Sequence, residues 1–364
     1  LFRTEFTQMA VKEMNIKVER TNNSRLNEVD FDNLKFGREF SDHMLISEFS
    51  DGQWSNSTIK PYSKLEFAPS SSVFHYGQAI FEGMKAHRAP SGEILLFRPD
   101  MNFERFNMSA RRMSMAEVPS QIFMDGIKQL VELDQAWVPE GEGQALYIRP
   151  FMIADDEFIG VKASSKYHFI VITSPTAGYY SGAVSVKVEE EYSRACEGGI
   201  GAAKAAANYA ASLLPAKQAQ AQGYDQLIWT DSKEHKYIEE SGTMNVMFMI
   251  NGTLVTPALS THTILPGITR DSLLTLARDW GIEVQERQVS VEEVIDALKA
   301  GTLTEAFGAG TAATIAPISR IGFKGVDYNL TDFNQWDFAM KAKAELEGIK
   351  RGTIEDRFSW TQKI

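Results

Sequence analysis

The chain has almost no cysteine: one, Cys196, in 364 residues. No internal disulfide can form, which fits a reducing compartment. Its six histidines show no metal-ligand spacing, and Cys196 has no thiol partner, so no metal site is expected. No apolar run reaches the roughly 18 residues of a membrane span, so no membrane partner is expected. Positive charge is in deficit. The 37 Lys and Arg stand against 48 Asp and Glu, for a net charge of −11. That excludes a nucleic-acid binder working through a basic surface. The opening Leu1-Phe-Arg-Thr-Glu-Phe6 has no signal-peptide pattern, so a cytoplasmic location is expected. It also lacks an initiator Met and reads as a truncated or appended end. There is no internal repeat and no low-complexity tract.

What is present is an ordinary globular composition, 43% hydrophobic and 23% charged. The length suggests two domains, at roughly 150 residues each. Residues 1–30 read as a polar arm. Residues 43–67 and 92–98 are strand-rich, with a turn at Asp51-Gly52. Asn102 to Met115 and Ile122 to Leu133 carry helical periodicity, and Gln144 to Ile153 and Tyr167 to Ser174 read as strands. Pro175-Thr-Ala-Gly178, followed by Tyr179-Tyr-Ser-Gly182, reads as the boundary. The expected division is a smaller N-terminal α/β domain (1–177), a linker (178–185) and a larger C-terminal domain (186–364). In the second part, Val184 to Glu189 alternates as a strand. Asn208 to Gln222 reads as a helix stopped by Gly223, with Pro215 marking a kink or break. Asn251-Gly252 marks a hairpin. Thr269 to Trp280 reads as a helix closed by Gly281, and Ser290-x-x-Glu293 as a capping box. Strands and helices mix without a regular βαβ repeat, so the expected class is mixed α/β of the α+β kind.

The chemistry concentrates in a few stretches. Gly198-Gly-Ile-Gly-Ala-Ala-Lys-Ala-Ala-Ala-Asn-Tyr209 sets Lys204 among residues with almost no side chain. A lysine there can be desolvated, which lowers its pKa and frees an amine to attack a carbonyl. Taken alone, it reads first as a surface lysine on an Ala-rich helix. Leu265-Pro-Gly-Ile-Thr-Arg-Asp271 leads into a helix. Its N-terminal amides at Ile268 and Thr269, with the Thr269 hydroxyl, can hold a phosphate, or Thr269 simply caps its own helix. Phe307-Gly-Ala-Gly-Thr-Ala-Ala313 offers Thr311 as another phosphate contact, or is a plain tight turn, and has no P-loop lysine. Glu239-Glu-Ser-Gly-Thr-Met-Asn245 supplies an acid that could keep a heterocyclic nitrogen protonated, or is a solvated acidic loop. Ser241 lacks the Gly-x-Ser-x-Gly of a nucleophile elbow. Arg98, Arg105 and Arg149 suit phosphate, carboxylate or a structural ion pair.

In order along the chain, these pieces resemble the branched-chain amino acid aminotransferases, class IV (fold type IV) pyridoxal-phosphate enzymes. The resemblance runs from about Phe36 to Ile321. It rests on Phe36-Gly, Phe74-His-Tyr-Gly-Gln-Ala-Ile-Phe-Glu-Gly-Met-Lys-Ala86, Leu96-Phe-Arg-Pro with Asn102-Phe-Glu-Arg105, and Leu146-Tyr-Ile-Arg-Pro150. The remaining matches are Lys204-x-x-x-Asn-Tyr209, Glu240-Ser-Gly-Thr-Met-Asn245, Ile264-Leu-Pro-Gly-Ile-Thr-Arg270 and Phe307-Gly-x-Gly-Thr-Ala312.

The resemblance implies a two-domain fold and pyridoxal 5'-phosphate held covalently by Lys204, the catalytic residue. It implies Tyr209 on the cofactor's phenolic oxygen, Glu240 on its ring nitrogen and Thr243 beside the ring. Arg105, Ile268, Thr269 and Thr311 would hold the phosphate, and Arg98 stays structural. Phe36, Tyr76, Tyr147, Val161 and Tyr179 would shape an apolar substrate pocket. The α-carboxylate would meet the Thr311–Ala312 turn with help from Tyr76 and Arg149. Arg149 or the Tyr147 hydroxyl would receive glutamate's second carboxylate. A homodimer is implied, with residues near Tyr76 and Val161 reaching the partner's site. The implied reaction moves the amino group of leucine, isoleucine or valine to 2-oxoglutarate by a ping-pong route. Its rivals are a D-amino-acid aminotransferase or aminodeoxychorismate lyase of the same fold, and a non-catalytic phosphate- or nucleotide-binding protein.

Two departures stand out. Met247 occupies a position usually aromatic in this class, and Phe248 follows one place later, so the strand is expected to face its side chains differently. Ala313 and Ala316 stand where mammalian members carry a Cys-x-x-Cys, so no thiol switch is expected there.

Overall fold

The computed structural model describes residues 15–178 and 182–364. Among these, the strands form two sheets. The first has the spatial order Lys17–Val18, Thr58–Pro61, His43–Ser50, Tyr167–Thr176, Ala145–Ala154, Met84–Arg88, Ile94–Phe97 and Thr361–Lys363. Its long central pair runs in unbroken register from Ala145 opposite Thr176 to Ala154 opposite Tyr167. The helices Pro99–Arg112 and Gly126–Leu133 cover one face. There Phe106, Phe123, Ile127 and Leu130 pack with Leu45 and Phe169 in one apolar core. Helix Pro99–Arg112 begins earlier than the periodicity suggests. Proline is tolerated at the first helical position, where its missing N–H costs nothing.

The second sheet has the order Ile238–Ser241, Gln226–Thr230, Val184–Val188, Thr314–Phe323, Leu303–Gly310, Met244–Ile250, Thr253–Pro257 and Val284–Arg287. Helix Val291–Lys299 packs on one face through Val291, Val294 and Ile295. Helices Ile268–Asp279 and Phe338–Lys350 pack on the other through Leu273, Leu276, Ala342 and Leu346. The central strand Met244–Ile250 is therefore buried at every position. Met247 joins the Leu273 cluster and Phe248 the Val294 cluster. With both faces dry, the Met247–Phe248 order needs no slip in register, and the strand pairs regularly from Asn245 opposite Ala309 to Phe248 opposite Ala306.

Local signals mostly resolve as read. Asn251 and Gly252 take φ of 51° and 77°, the two-residue hairpin geometry. Ser290 Oγ accepts from the Glu293 amide at 3.1 Å, but the Glu293 carboxylate turns to Arg287, so only half of the capping box forms. Pro215 sits inside an uninterrupted helix, Ala206–Ala221. Pro175 does not end its strand; it pairs with Leu146. The sheets change between Thr176 and Val184, and the final strand Thr361–Lys363 returns to the first sheet against Ile94–Phe97. No helix among the described residues is long and apolar enough to cross a membrane, and no three metal-ligating side chains cluster there.

Candidate active site

A cavity of ≈ 690 Å³ lies where the two sheets meet, walled by residues from both. Lys204 enters it from the loop after Val184–Val188. The loop packs backbone against backbone, with the Ala202 amide donating to the His262 carbonyl at 3.0 Å. A Cβ on Gly201 would lie 2.2 Å from the Thr263 carbonyl oxygen, so only glycine allows this approach. Lys204 is not on the Ala-rich helix: Ala205 is its extended N-cap and the helix begins at Ala206. The Lys204 amide donates to Ser109 Oγ at 2.9 Å, and its carbonyl accepts from the Phe81 amide at 3.1 Å. Its Nζ donates to Tyr209 Oη at 2.9 Å and lies 4.8 Å from the centroid of the Phe81 ring. A half-buried amine is thus held at one point between two aromatic rings.

Glu239 and Glu240 lie on a buried strand, not a solvated loop, and strand alternation sends their side chains to opposite faces. Glu240 faces the cavity. Its Oε1 accepts from the Leu265 amide at 2.8 Å, and its Oε2 lies 3.4 Å from Arg194 Nε. Burial holds the Glu240 carboxyl above its ordinary value, against the pull of Arg194 and the Leu265 amide.

At the other end, Gly267 is the N-cap of helix Ile268–Asp279 and makes no side-chain hydrogen bond, so Thr269 does not cap its helix. Ile268 and Thr269 line the cavity at this positive helix end. Arg105 lies beside it, its Nη1 donating to the Pro266 carbonyl at 3.0 Å. Its Nε and Nη2 donate to the two oxygens of Glu82, at 2.7 and 2.9 Å. Glu82 is fully buried and also accepts from Asn102 Nδ2 at 2.7 Å. Burial pushes the Glu82 carboxyl up, but the Arg105 charge and hydrogen bonds outweigh it and hold it below its ordinary value. Arg98 is structural: Nη1 meets Ser272 Oγ and Asp271 Oδ2, both at 2.8 Å.

Phe36, Tyr147 and Arg149 form the remaining wall. The Phe36 and Tyr147 rings meet edge-on at 4.8 Å. Arg149 Nη2 donates to Tyr147 Oη at 2.9 Å and its guanidinium stacks 4.7 Å from the Phe81 ring. Arg149 Nε is buried with no hydrogen-bond partner among the described residues. Phe307–Gly310 belongs to a strand, and Thr311 and Ala312 form the turn that closes the cavity, near Thr243 in the turn after Ser241.

Most of the expected site residues therefore share one cavity. Tyr76 and Val161 do not line it. Both are exposed, Val161 at 88%, with Tyr76 Oη donating to the Ile159 carbonyl. Tyr179 falls outside the described residues. Glu82, Arg194 and Asn245 were given no role by the sequence. Glu82 left one trace: a carboxylate between Phe81 and Gly83 in an apolar stretch.

The residues fit pyridoxal phosphate by their chemistry. An amine with a phenolic neighbour stands between a buried acid and an arginine-flanked helix N-terminus, which matches an aldehyde, a basic ring nitrogen and a phosphate on one flat molecule. Comparison with known proteins agrees. The amino-transferase class IV family matches residues 79–321. Branched-chain-amino-acid transaminase 1 of Bacillus subtilis is 45% identical over 340 residues, 92% of this chain and 95% of that protein. The branched-chain-amino-acid aminotransferase of Mycobacterium tuberculosis is 42% identical over 338 residues, 90% and 92% of the two chains. The crystal structure of the Escherichia coli branched-chain amino acid aminotransferase superposes with a TM-score of 0.70 at 25% identity, covering 88% of this chain and 98% of that one. The fold is shared as well with the Thermobaculum terrenum enzyme in its PLP-form, at a TM-score of 0.70, 22% identity, and 90% and 99% coverage. The chain belongs to the class IV aminotransferases, within the branched-chain-amino-acid aminotransferase family.

Proposed function

We propose that this protein transfers the amino group of L-leucine, L-isoleucine or L-valine to 2-oxoglutarate, with pyridoxal 5'-phosphate in a ping-pong cycle. The observation that carries this reading is Lys204 Nζ held by Tyr209 in a cavity between buried Glu240 and the helix start at Ile268. When bound, the cofactor supplies a carbonyl for the amine and an electron-poor ring that stabilises negative charge at the substrate's α-carbon. Lys204 anchors it and then carries the proton to and from that carbon. Tyr209 holds the phenolic oxygen, and Glu240 keeps a proton on the ring nitrogen. The amides of Ile268 and Thr269, the hydroxyls of Thr269 and Thr311, and Arg105 hold the phosphate, and Thr243 sits beside the ring.

The aromatic wall of Phe36, Phe81 and Tyr147 excludes water from an aliphatic side chain. The second substrate carries a carboxylate where the first carries methyl groups, and Arg149 with Tyr147 Oη receives it. The Thr311–Ala312 turn receives the α-carboxylate. Tyr76 and Val161, exposed beside Phe158 and Ile159, support a homodimer in which they meet the partner's cavity. The two sheets support two domains that change over between Thr176 and Val184, with Thr361–Lys363 returning to the first. A cytoplasmic location is supported by the single cysteine, which fits a reducing compartment. The test is an absorbance spectrum of the cofactor-loaded protein with L-leucine and with D-alanine. Conversion by L-leucine is the expected result, and conversion by D-alanine alone would overturn the reading.

A further inference from the structure

Behind the acid end of the cavity stands an arginine with no part in the scheme above. Arg194 lies in the loop between Val184–Val188 and Lys204. Its Nη2 donates to the Thr263 carbonyl, in the segment that Gly201 packs against. This fixes its Nε 3.4 Å from Glu240 Oε2, with the Arg194 and Glu240 side chains only 8% and 5% exposed. The two meet in a small crevice of ≈ 20 Å³ that also touches Tyr209 and Leu265.

A buried carboxylate is unstable as an ion unless cations or amide dipoles offset its lost hydration. Four groups do so for Glu240: Arg194, the Leu265 amide, Lys204 and Arg105. Lys204 commits its amine to the cofactor, and Arg105 is paired with Glu82. Arg194 is the cation whose ion-pair partner is Glu240 itself. On the opposite face of the strand, Glu239 also feels the Arg194 charge, in a hollow it shares with the acids Glu197, Asp231 and Glu234 and the cation Lys233. We propose that Arg194 is a positioning residue: it keeps Glu240 ionised and aimed so that Glu240 can hold the proton on the cofactor's ring nitrogen. This rests on the assignment of Glu240 to that nitrogen.

The test compares two probes on the apo-protein, pyridoxal 5'-phosphate and its 1-deaza analogue, in which C–H replaces the ring nitrogen. Wild type is expected to prefer the natural cofactor, and Glu240→Gln to lose that preference. Arg194→Gln should weaken binding of the natural cofactor at least about tenfold and shift the analogue no more than about twofold. Arg194→Lys keeps the charge and should restore most of the preference; it carries the test if the glutamine variant does not fold. Equal weakening of both probes in Arg194→Gln would mean a merely structural role and overturn the inference. So would a wild-type preference in a well-folded Arg194→Gln, with the Glu240 assignment left standing. A wild type that binds both probes equally would overturn that assignment and the inference with it.

Discussion

Glu240 and Asn245 face each other in register across a two-stranded hairpin and grip the same residue, Leu265, by its two peptide groups. Glu240 Oε1 accepts the Leu265 amide at 2.8 Å, and Asn245 Nδ2 donates to the Leu265 carbonyl at 2.9 Å. Leu265 leads directly through Pro266 and Gly267 into the helix whose start forms the phosphate end of the cavity. The hairpin thus sets how far the acid stands from the phosphate site.

Asn245→Ala should therefore weaken the cofactor without unfolding the chain. The Leu265 carbonyl would lose its partner, at a cost of about 1–3 kcal/mol. Gly267 would also lose the side chain it packs against, since a Cβ there would sit 1.9 Å from Asn245 Oδ1. An absorbance titration of the apo-protein with pyridoxal phosphate should show a higher Kd, and thermal unfolding a modest drop.

Glu82→Ala should be far more damaging. It strands the Arg105 guanidinium, buried and unpaired, which costs about 3–5 kcal/mol. Glu82→Gln keeps the shape and should lose less, and denaturant unfolding at pH 7 measures both. The pair also carries a pH signature. The Glu82 carboxyl is held below its ordinary 4.5, so it adds stability above that pH and loses it as pH falls through the depressed folded value. Glu82→Gln should remove that part of the acid limb.

What the sequence could show of this site followed from spacing. Lys204 with Tyr209, and Glu240 with Asn245, lie in short linear stretches where each residue's neighbours state its surroundings. Arg105 was visible as an arginine on a helix, but its partner Glu82 lies 23 residues away, and only the packing of helix on sheet brings the two together. Arg194 and Glu240 are joined by a loop whose path depends on Gly201 meeting Thr263, which no local pattern encodes. The same limit shaped the fold. Asn251-Gly252 and Ser290 were legible because turns and caps are local. The acidic pair at Glu239–Glu240 resembled a loop because nothing nearby in sequence shows the strands and turns that bury it.

Lys204→Ala should abolish the absorbance band of the covalently held cofactor and reduce turnover by about 10²–10⁴-fold or more. Tyr209→Phe removes the 2.9 Å bond to Nζ while keeping the ring against Phe81, whose centroid is 4.8 Å away. It should keep the band and lower turnover by about tenfold. Stopped-flow spectra with L-leucine distinguish the two variants.

Glu239 gives a prediction of opposite sign to Glu82. It is buried, its Oε2 has no hydrogen-bond partner among the described residues, and burial pushes its carboxyl from 4.5 up to about 7. Between those values the folded chain holds a proton that the unfolded chain has released, so stability falls as pH rises through this window and stays lower above it. The penalty is at most about 3 kcal/mol. Glu239→Gln is uncharged throughout, with nearly the same shape. It should match the wild type near pH 4.5, exceed it at pH 8, and flatten the slope of stability between. Unfolding curves across that range check the point, and an unchanged slope would show that Glu239 ionises freely in the folded protein.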